Sequence, residues 1–150
     1  MSFLKRTDSD DPDFQDLVKL LDAELKILDG DEHTFYSQFN KIDKIRNAVV
    51  FYIDDKPSGC GAFKEYDTKT AEIKRMFVIP EERGKGAAKL ILKELEIWVA
   101  ELKFTECILE TGLKQSEAIK LYQKAGYEII PNYGQYKNVS NSVCMKKSIG

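Results

Sequence analysis

The sequence predicts an α/β (α+β) fold: a mixed, mostly antiparallel sheet of six to seven strands with helices on both faces. Three observations carry this expectation. The 150 residues, 43% hydrophobic and 32% charged, suit one globular domain spanning 1–150 with a proper core. Apolar spacing switches between strand and helix periods in the order strand, two helices, three strands, helix, strand, helix, two strands. The stretch from Ala71 to Thr111 reads as a βαβ unit, whose two strands should run parallel with a right-handed crossover.

Taken in chain order, residues 3–6 form a short strand. Phe14, Leu17, Val18, Leu21, Leu25 and Leu28 then recur at helical intervals and define an amphipathic helix. Asp11 before Pro12 is its start signal, since Asp caps open N–H groups and Pro is tolerated in the first turn; Gly30 marks its stop. A second, short helix is expected over 31–40. Two β-rich runs, "AVVFYID" and "GCGAFKEY", flank "DKPS", whose Pro and Ser suit a tight connection, so an antiparallel hairpin is predicted. "TAEIKRMFVI" is a long strand closed by Pro80. From Gly84 to Leu102 the residues Ala88, Ile91, Leu92, Leu95, Val99 and Leu102 make one helical stripe. "ECILET" is a buried strand, and "QSEAIKLYQKAGY" is a short helix ended by Gly126. Strands around Tyr127–Ile130 and Ser142–Lys146 enclose the polar loop "PNYGQYKN".

Composition narrows the function. A formal charge of -2, with no basic block, argues against a nucleic-acid partner. The first residues lack the apolar core of a signal peptide and no run of about 18 apolar residues occurs, so a soluble cytoplasmic protein with no membrane partner is expected. Cys60, Cys107 and Cys144 are widely spaced in apolar surroundings, which reads as reduced buried thiols rather than a disulfide framework or a metal ligand set. A nucleophilic cysteine would need a base close by, and the one histidine, His33, is distant in sequence.

"VIPEERGKGAAKLIL" changes character where the strand gives way to the helix. A helix opens with N–H groups that lack intrahelical partners and with the positive end of its dipole, so such a turn offers an anion site. Arg83, Gly84, Lys85, Gly86, Ala87 and Ala88 supply that turn with no bulky side chain between two basic ones. The spacing of a P-loop is lacking and the dinucleotide pattern is incomplete.

Arg83, Gly86 and Ala88 fit the pattern Arg/Gln-x-x-Gly-x-Gly/Ala, and Ala118, Leu121 and Tyr122 fit a helix carrying Ala-x-x-Leu-Tyr before a Gly-Tyr pair. Together, in this order and with this strand order, they resemble the two signatures of the GNAT superfamily of N-acetyltransferases over nearly the whole chain. The resemblance implies the acyl-CoA N-acyltransferase fold and acetyl-CoA as donor, its pyrophosphate on the backbone amides of Arg83 to Ala88, with no metal. It also implies that the strand before the turn carries a bulge and pairs, through Met76, Phe77 and Val78, with the pantetheine arm. Ala118 lies on the helix that lines the cofactor. Gln115 stands where the family often has Asn, a departure whose longer amide would still reach the pantetheine.

Acyl transfer to an amine requires a neutral nucleophile, a stabilised oxyanion and a proton for the departing thiolate. On the resemblance, an N–H near Phe77 or Val78 serves the oxyanion and Tyr122 serves the sulfur, although Tyr122 also reads as a core residue among Ala118, Leu121 and Ala125. Glu72 resembles the position of a family base, with Glu110 as competitor; each also reads as an ion-pair partner. Family geometry places the acceptor against His33, Tyr36, Tyr133 and Tyr136. Residues 1–32 hold ten acidic side chains against four basic, a local charge of -6 that is either a solvated helix face or a lure for a cationic amine. The expected partner is a small-molecule amine; protein acetylation and a non-catalytic acyl-CoA sensor are the alternatives, and a homodimer is carried over from family habit alone.

Overall fold

The computed structural model describes residues 1–29 and 44–149. Its elements are β1 (Ser2–Thr7), α1 (Pro12–Asp29), β2 (Asn47–Ile53), β3 (Lys56–Glu65), β4 (Thr70–Val78), α2 (Ala87–Glu101), β5 (Glu106–Gly112), α3 (Ser116–Lys124), β6 (Glu128–Ile130) and β7 (Ser142–Ser148). Short 3-10 turns occupy Pro80–Glu82 and Gly134–Tyr136. The strands form one seven-stranded mixed sheet in the order β1-β2-β3-β4-β5-β7-β6. The β4–β5 ladder is parallel, as the βαβ reading requires, while β1–β2, β2–β3, β5–β7 and β6–β7 are antiparallel. The expected helix over 31–40 and the stop at Gly30 lie outside the described residues.

The chain divides into two compact units, one of Met1–Lys64 with Lys74–Leu95 and one of Glu65–Ile73 with Glu96–Gly150. In the first, Phe14, Leu17, Val18 and Leu21 of α1 bury with Ile45 and with Ala48, Val50 and Tyr52 of β2, Cys60 and Ala62 of β3, and Phe77. The helical stripe and the alternating strand positions meet in this cluster. Gly59 and Gly61 of β3 let α2 sit close: a Cβ at Gly61 would lie 2.6 Å from Met76 Sδ, 2.8 Å from Leu95 Cδ1 and 2.9 Å from Ile91 Cγ2. In the second unit, Cys107, Leu109 and Met145 are fully buried, and Glu96 accepts hydrogen bonds from Tyr127 Oη at 2.9 Å and Lys147 Nζ at 2.8 Å.

Two expectations are corrected. The β2–β3 hairpin turns at Asp54 and Asp55, both with positive φ (48° and 66°), and not at the Pro and Ser of "DKPS". Two left-handed residues match the twist of the flanking strands, and Asp tolerates that conformation. Pro57 instead belongs to β3, opposite Tyr52, where the register shifts. Helix α2 starts at Ala87 rather than Gly84, because Gly84 (φ 80°) and Gly86 (φ 87°) are left-handed and cannot be helical.

The α1 start is as expected. Asp11 Oδ1 accepts the N–H groups of Asp13 (2.8 Å) and Phe14 (3.2 Å), while Oδ2 meets Lys5 Nζ at 2.7 Å and accepts from Thr7 Oγ1 at 3.0 Å. Burial opposes ionisation of this carboxyl, but Lys5 and the hydrogen bonds outweigh it and hold its pKa below the ordinary 3.8. A depressed pKa contributes stability above the ordinary carboxylate range that is lost as pH falls through it. Asp11→Ala should therefore cost about 1–2 kcal/mol at pH 7. Thermal melts of both proteins should converge as pH falls from about 5 to 3; a constant gap would rule out this role.

Candidate functional site

In the first unit, the chain leaves β4 through the Pro80–Glu82 turn, where Glu82 N donates to Ile79 O (3.0 Å) and Arg83 N to Pro80 O (3.3 Å). The first backbone bond of α2 runs from Leu90 N to Gly86 O at 3.1 Å, so the N–H groups of the turn just before Leu90 open the helix. No acidic residue occupies that first turn. Beside both Gly84 and Gly86 a Cβ would meet nothing within 4 Å, so the backbone borders open space.

The basic side chains behave differently from expectation. Arg83 Nε donates to Val78 O at 2.8 Å, its Nη2 pairs with Glu24 Oε1 at 2.8 Å, and its guanidinium lies 5.5 Å from the Phe77 ring centre. Lys85 Nζ pairs with Glu82 Oε1 at 2.9 Å. Both cations are already balanced by carboxylates. What remains for an anion is the row of backbone amides, the helix dipole, equivalent to roughly half a charge, and the exposed Lys89 in the first turn of α2. Within β4, Phe77 and Val78 are buried and Met76 is half-buried. One residue earlier, Arg75 adopts φ 62°, a left-handed conformation rare for a non-glycine, with its side chain buried and Nη1 3.6 Å from Asp22 Oδ1. This is a backbone irregularity in the strand where the resemblance implies a bulge.

In the second unit, β4 pairs with β5 through Thr70↔Glu106, Ala71↔Cys107 and Glu72↔Ile108. Residues two apart on a strand share a face, so Glu72 and Glu110 lie on the same side of the sheet, with Cys144 opposite Glu110 on β7. Tyr133, in the loop before β7, donates its hydroxyl to Glu72 Oε2 at 2.7 Å. Its ring stands edge-on to Tyr66 (5.3 Å) and to Tyr136 (5.9 Å). Burial first, then the charge and hydrogen bond of Glu72, raise the Tyr133 phenol above its ordinary pKa. Burial, Glu110 and Glu72 raise that of Tyr136 in the same way.

Helix α3 presents Tyr122, 6% exposed, whose ring meets Tyr127 edge-on at 5.9 Å. Burial and then Glu110 raise its phenol too, so it stays protonated across the neutral range. Gln115 is the N-cap of this helix but its side chain makes no capping bond, which leaves the amide for other use; Ala118 is half-buried on the same helix. His33 and Tyr36 lie outside the described residues. The structure thus brings Glu72, Glu110, Tyr133, Tyr136 and Tyr122 together through shared electrostatics. It adds Tyr66, just past the end of β3, which was not singled out, and Cys144, which was read only as a buried thiol; strand register and loop path bring them here, and neither is legible in the sequence. All three thiols are buried and unbridged, with burial pushing Cys60 and Cys107 up to about 12 and Cys144 to about 11, far from nucleophilic. Among the described residues, no group of His, Cys, Asp and Glu side chains could hold a metal ion, and no helix is long and apolar enough to cross a membrane.

The model of the acetyltransferase (GNAT) family matches residues 14–127. The chain belongs to the GNAT family. A Bacillus subtilis (strain 168) relative, described as the uncharacterized N-acetyltransferase YsnE, is 32% identical over 127 residues, covering 83% of this chain and 76% of that protein. The crystal structure of a Klebsiella pneumoniae acyl-CoA N-acyltransferase superimposes with a TM-score of 0.84 at 26% identity, covering 100% of this chain and 99% of that one. A GNAT family acetyltransferase from Elizabethkingia anophelis, solved with acetyl-CoA bound, shares the fold with a TM-score of 0.71 at 16% identity, covering 98% of this chain and 97% of the other. The fold expectation therefore holds: this is the seven-stranded mixed sheet with three described helices of the GNAT acyltransferases.

Proposed function

We propose that this GNAT protein is an N-acetyltransferase that moves the acetyl group of acetyl-CoA onto the primary amine of a small-molecule or amino-acid-like acceptor. The observation that carries the reading is the turn before α2, where left-handed glycines set backbone amides beside open space. A diphosphate fits that chemistry, since it needs several N–H donors and close approach more than mobile cations. In this reading the amides of Arg83 to Ala88 hold the diphosphate and the backbone of Met76, Phe77 and Val78 pairs with the pantetheine. Acetyl-CoA supplies the acetyl group as a thioester. A cytoplasmic setting is part of the proposal, which three reduced thiols fit.

The net reaction forms an N–C bond and breaks the C–S bond; of the two protons the ammonium loses, one goes to the sulfur and one to solvent. Glu72 takes a proton from the acceptor amine, with Glu110 the second carboxylate on that face. Tyr122 has a narrower role than a full acid. An ordinary thiol titrates near 8.5, well below a phenol held above its usual value, so complete transfer from Tyr122 to the thiolate is uphill. The phenol instead stabilises the thiolate by a hydrogen bond, and the proton comes from nitrogen.

Calorimetry with acetyl-CoA tests the donor, and thiol release on offering small amines and lysine peptides tests the acceptor. Binding with release of thiol is expected; no heat at millimolar acetyl-CoA refutes the reading, binding without release points to a sensor, and release with peptides alone to protein acetylation. Tyr122→Phe should lower kcat by about 10- to 100-fold, the worth of one hydrogen bond to a charged group, and keep the acetyl-CoA Kd within about twofold. Unchanged turnover would remove Tyr122 from the mechanism.

A further inference from the structure

Glu72 is 4% exposed, yet the reading above asks it to receive a proton from a substrate. A buried carboxylate with that task needs a fixed orientation and a neutral donor that favours its charged form. Both come from the loop between β6 and β7. Asn132 Nδ2 donates to Val139 O at 2.9 Å, Tyr136 N to Tyr133 O at 2.9 Å and Val139 N to Tyr136 O at 3.0 Å, which closes the loop on itself. Tyr136, 3% exposed, anchors it beneath. Tyr133, clamped between Tyr66 and Tyr136, is aimed at one oxygen, Glu72 Oε2, 2.7 Å away.

We infer that Tyr133 is the positioning residue for Glu72: it orients the carboxylate that takes the acceptor's proton, rather than binding the acceptor itself. The inference rests on the acetyltransferase reading and decides, within it, between the two candidate carboxylates. A phenol that stays protonated can only donate to a carboxylate, so the polarity of this bond is set. Tyr136 from the same loop and Cys144 of β7, both protonated at neutral pH, also bear on Glu72, and Glu110 of β5 lies on the same side of the sheet.

The test compares pH profiles of kcat/KM for a turned-over amine in the wild type, Tyr133→Phe, Glu110→Gln and the double variant, with melting temperatures measured alongside. Without the phenol the ionised form loses its donor, so the acid limb of Tyr133→Phe should move to higher pH by roughly one unit, with kcat down about 10-fold and the acetyl-CoA Kd unchanged. The same displacement should persist in the Glu110→Gln background. Tyrosine 13Cζ NMR gives a readout independent of turnover: the Tyr133 resonance, assigned by its loss in Tyr133→Phe, should move in Glu72→Gln. An acid limb that stays in place with wild-type kcat overturns the assignment, as does a displacement that vanishes without Glu110 or an unmoved resonance. A wild-type protein inert toward every amine overturns the acetyltransferase reading and this assignment with it.

Discussion

Gly86→Val is expected to weaken acetyl-CoA binding by about 100-fold or more, equivalent to about 2.7 kcal/mol, without unfolding the protein. Gly86 has φ 87°, which a β-branched residue adopts only under strain of about 1–3 kcal/mol. The turn would relax to another shape, and the amides that precede Leu90 would no longer share one direction. A Cβ at this position meets nothing within 4 Å, so no core contact is disturbed and the melting temperature should fall only by what the strain accounts for, about 2–12 °C. The valine methyls would instead fill the open space that the proposal gives to the diphosphate. Lys85→Ala is the contrasting variant. Because Lys85 is exposed, paired with Glu82 at 2.9 Å and screened by solvent, the Kd should rise no more than about threefold. Calorimetric titration of the three proteins separates the cases: an unaltered Kd in Gly86→Val refutes the loop assignment, and a large loss in Lys85→Ala would shift the recognition from backbone to side chain.

That contrast marks how far local sequence carries. The glycines before α2 are readable because the demand they meet is local: two left-handed residues next to a helix start need no knowledge of the rest of the chain. Helices α1, α2 and α3 are readable for the same reason, their apolar stripes repeating within one element. The β2–β3 turn was misplaced because Asp54 and Asp55 adopt left-handed φ without a glycine to announce it, while Pro57, the louder signal, sits in a strand. At the site, the unread facts are the distant ones. Arg83 finds Glu24 across 59 positions and Tyr133 finds Glu72 across 61, and both pairings depend on strand register and loop path. Their consequences are chemical. A basic turn becomes a neutralised one, and a residue expected against the acceptor is found holding a carboxylate.

Gly61→Val should destabilise the first unit by about 3 kcal/mol or more, at the upper end of overpacking costs. The reason lies in how α2 reaches the sheet. Ile91 and Leu95, one turn apart, point at β3, and the missing side chains at Gly59 and Gly61 make the shallow channel that receives them. At Gly61 a single Cβ would approach three side-chain atoms at 2.6–2.9 Å, and valine adds two more carbons. Met76 Sδ and Leu95 Cδ1 are ends of flexible side chains, but Ile91 Cγ2 sits on a branched carbon next to the α2 backbone, and Ile91 and Leu95 are both fully buried. Relief therefore requires α2 to lift, and α2 carries the turn proposed to hold the diphosphate at its head. For a chain of this size a melting temperature lower by about 6–12 °C is expected. Acetyl-CoA affinity should fall together with it. Leu95→Ala in the same protein opens room beside the valine and should restore part of the loss, so the pair should be non-additive by about 1 kcal/mol or more. A melting temperature within about 2 °C of wild type for Gly61→Val would mean that α2 does not depend on this close approach.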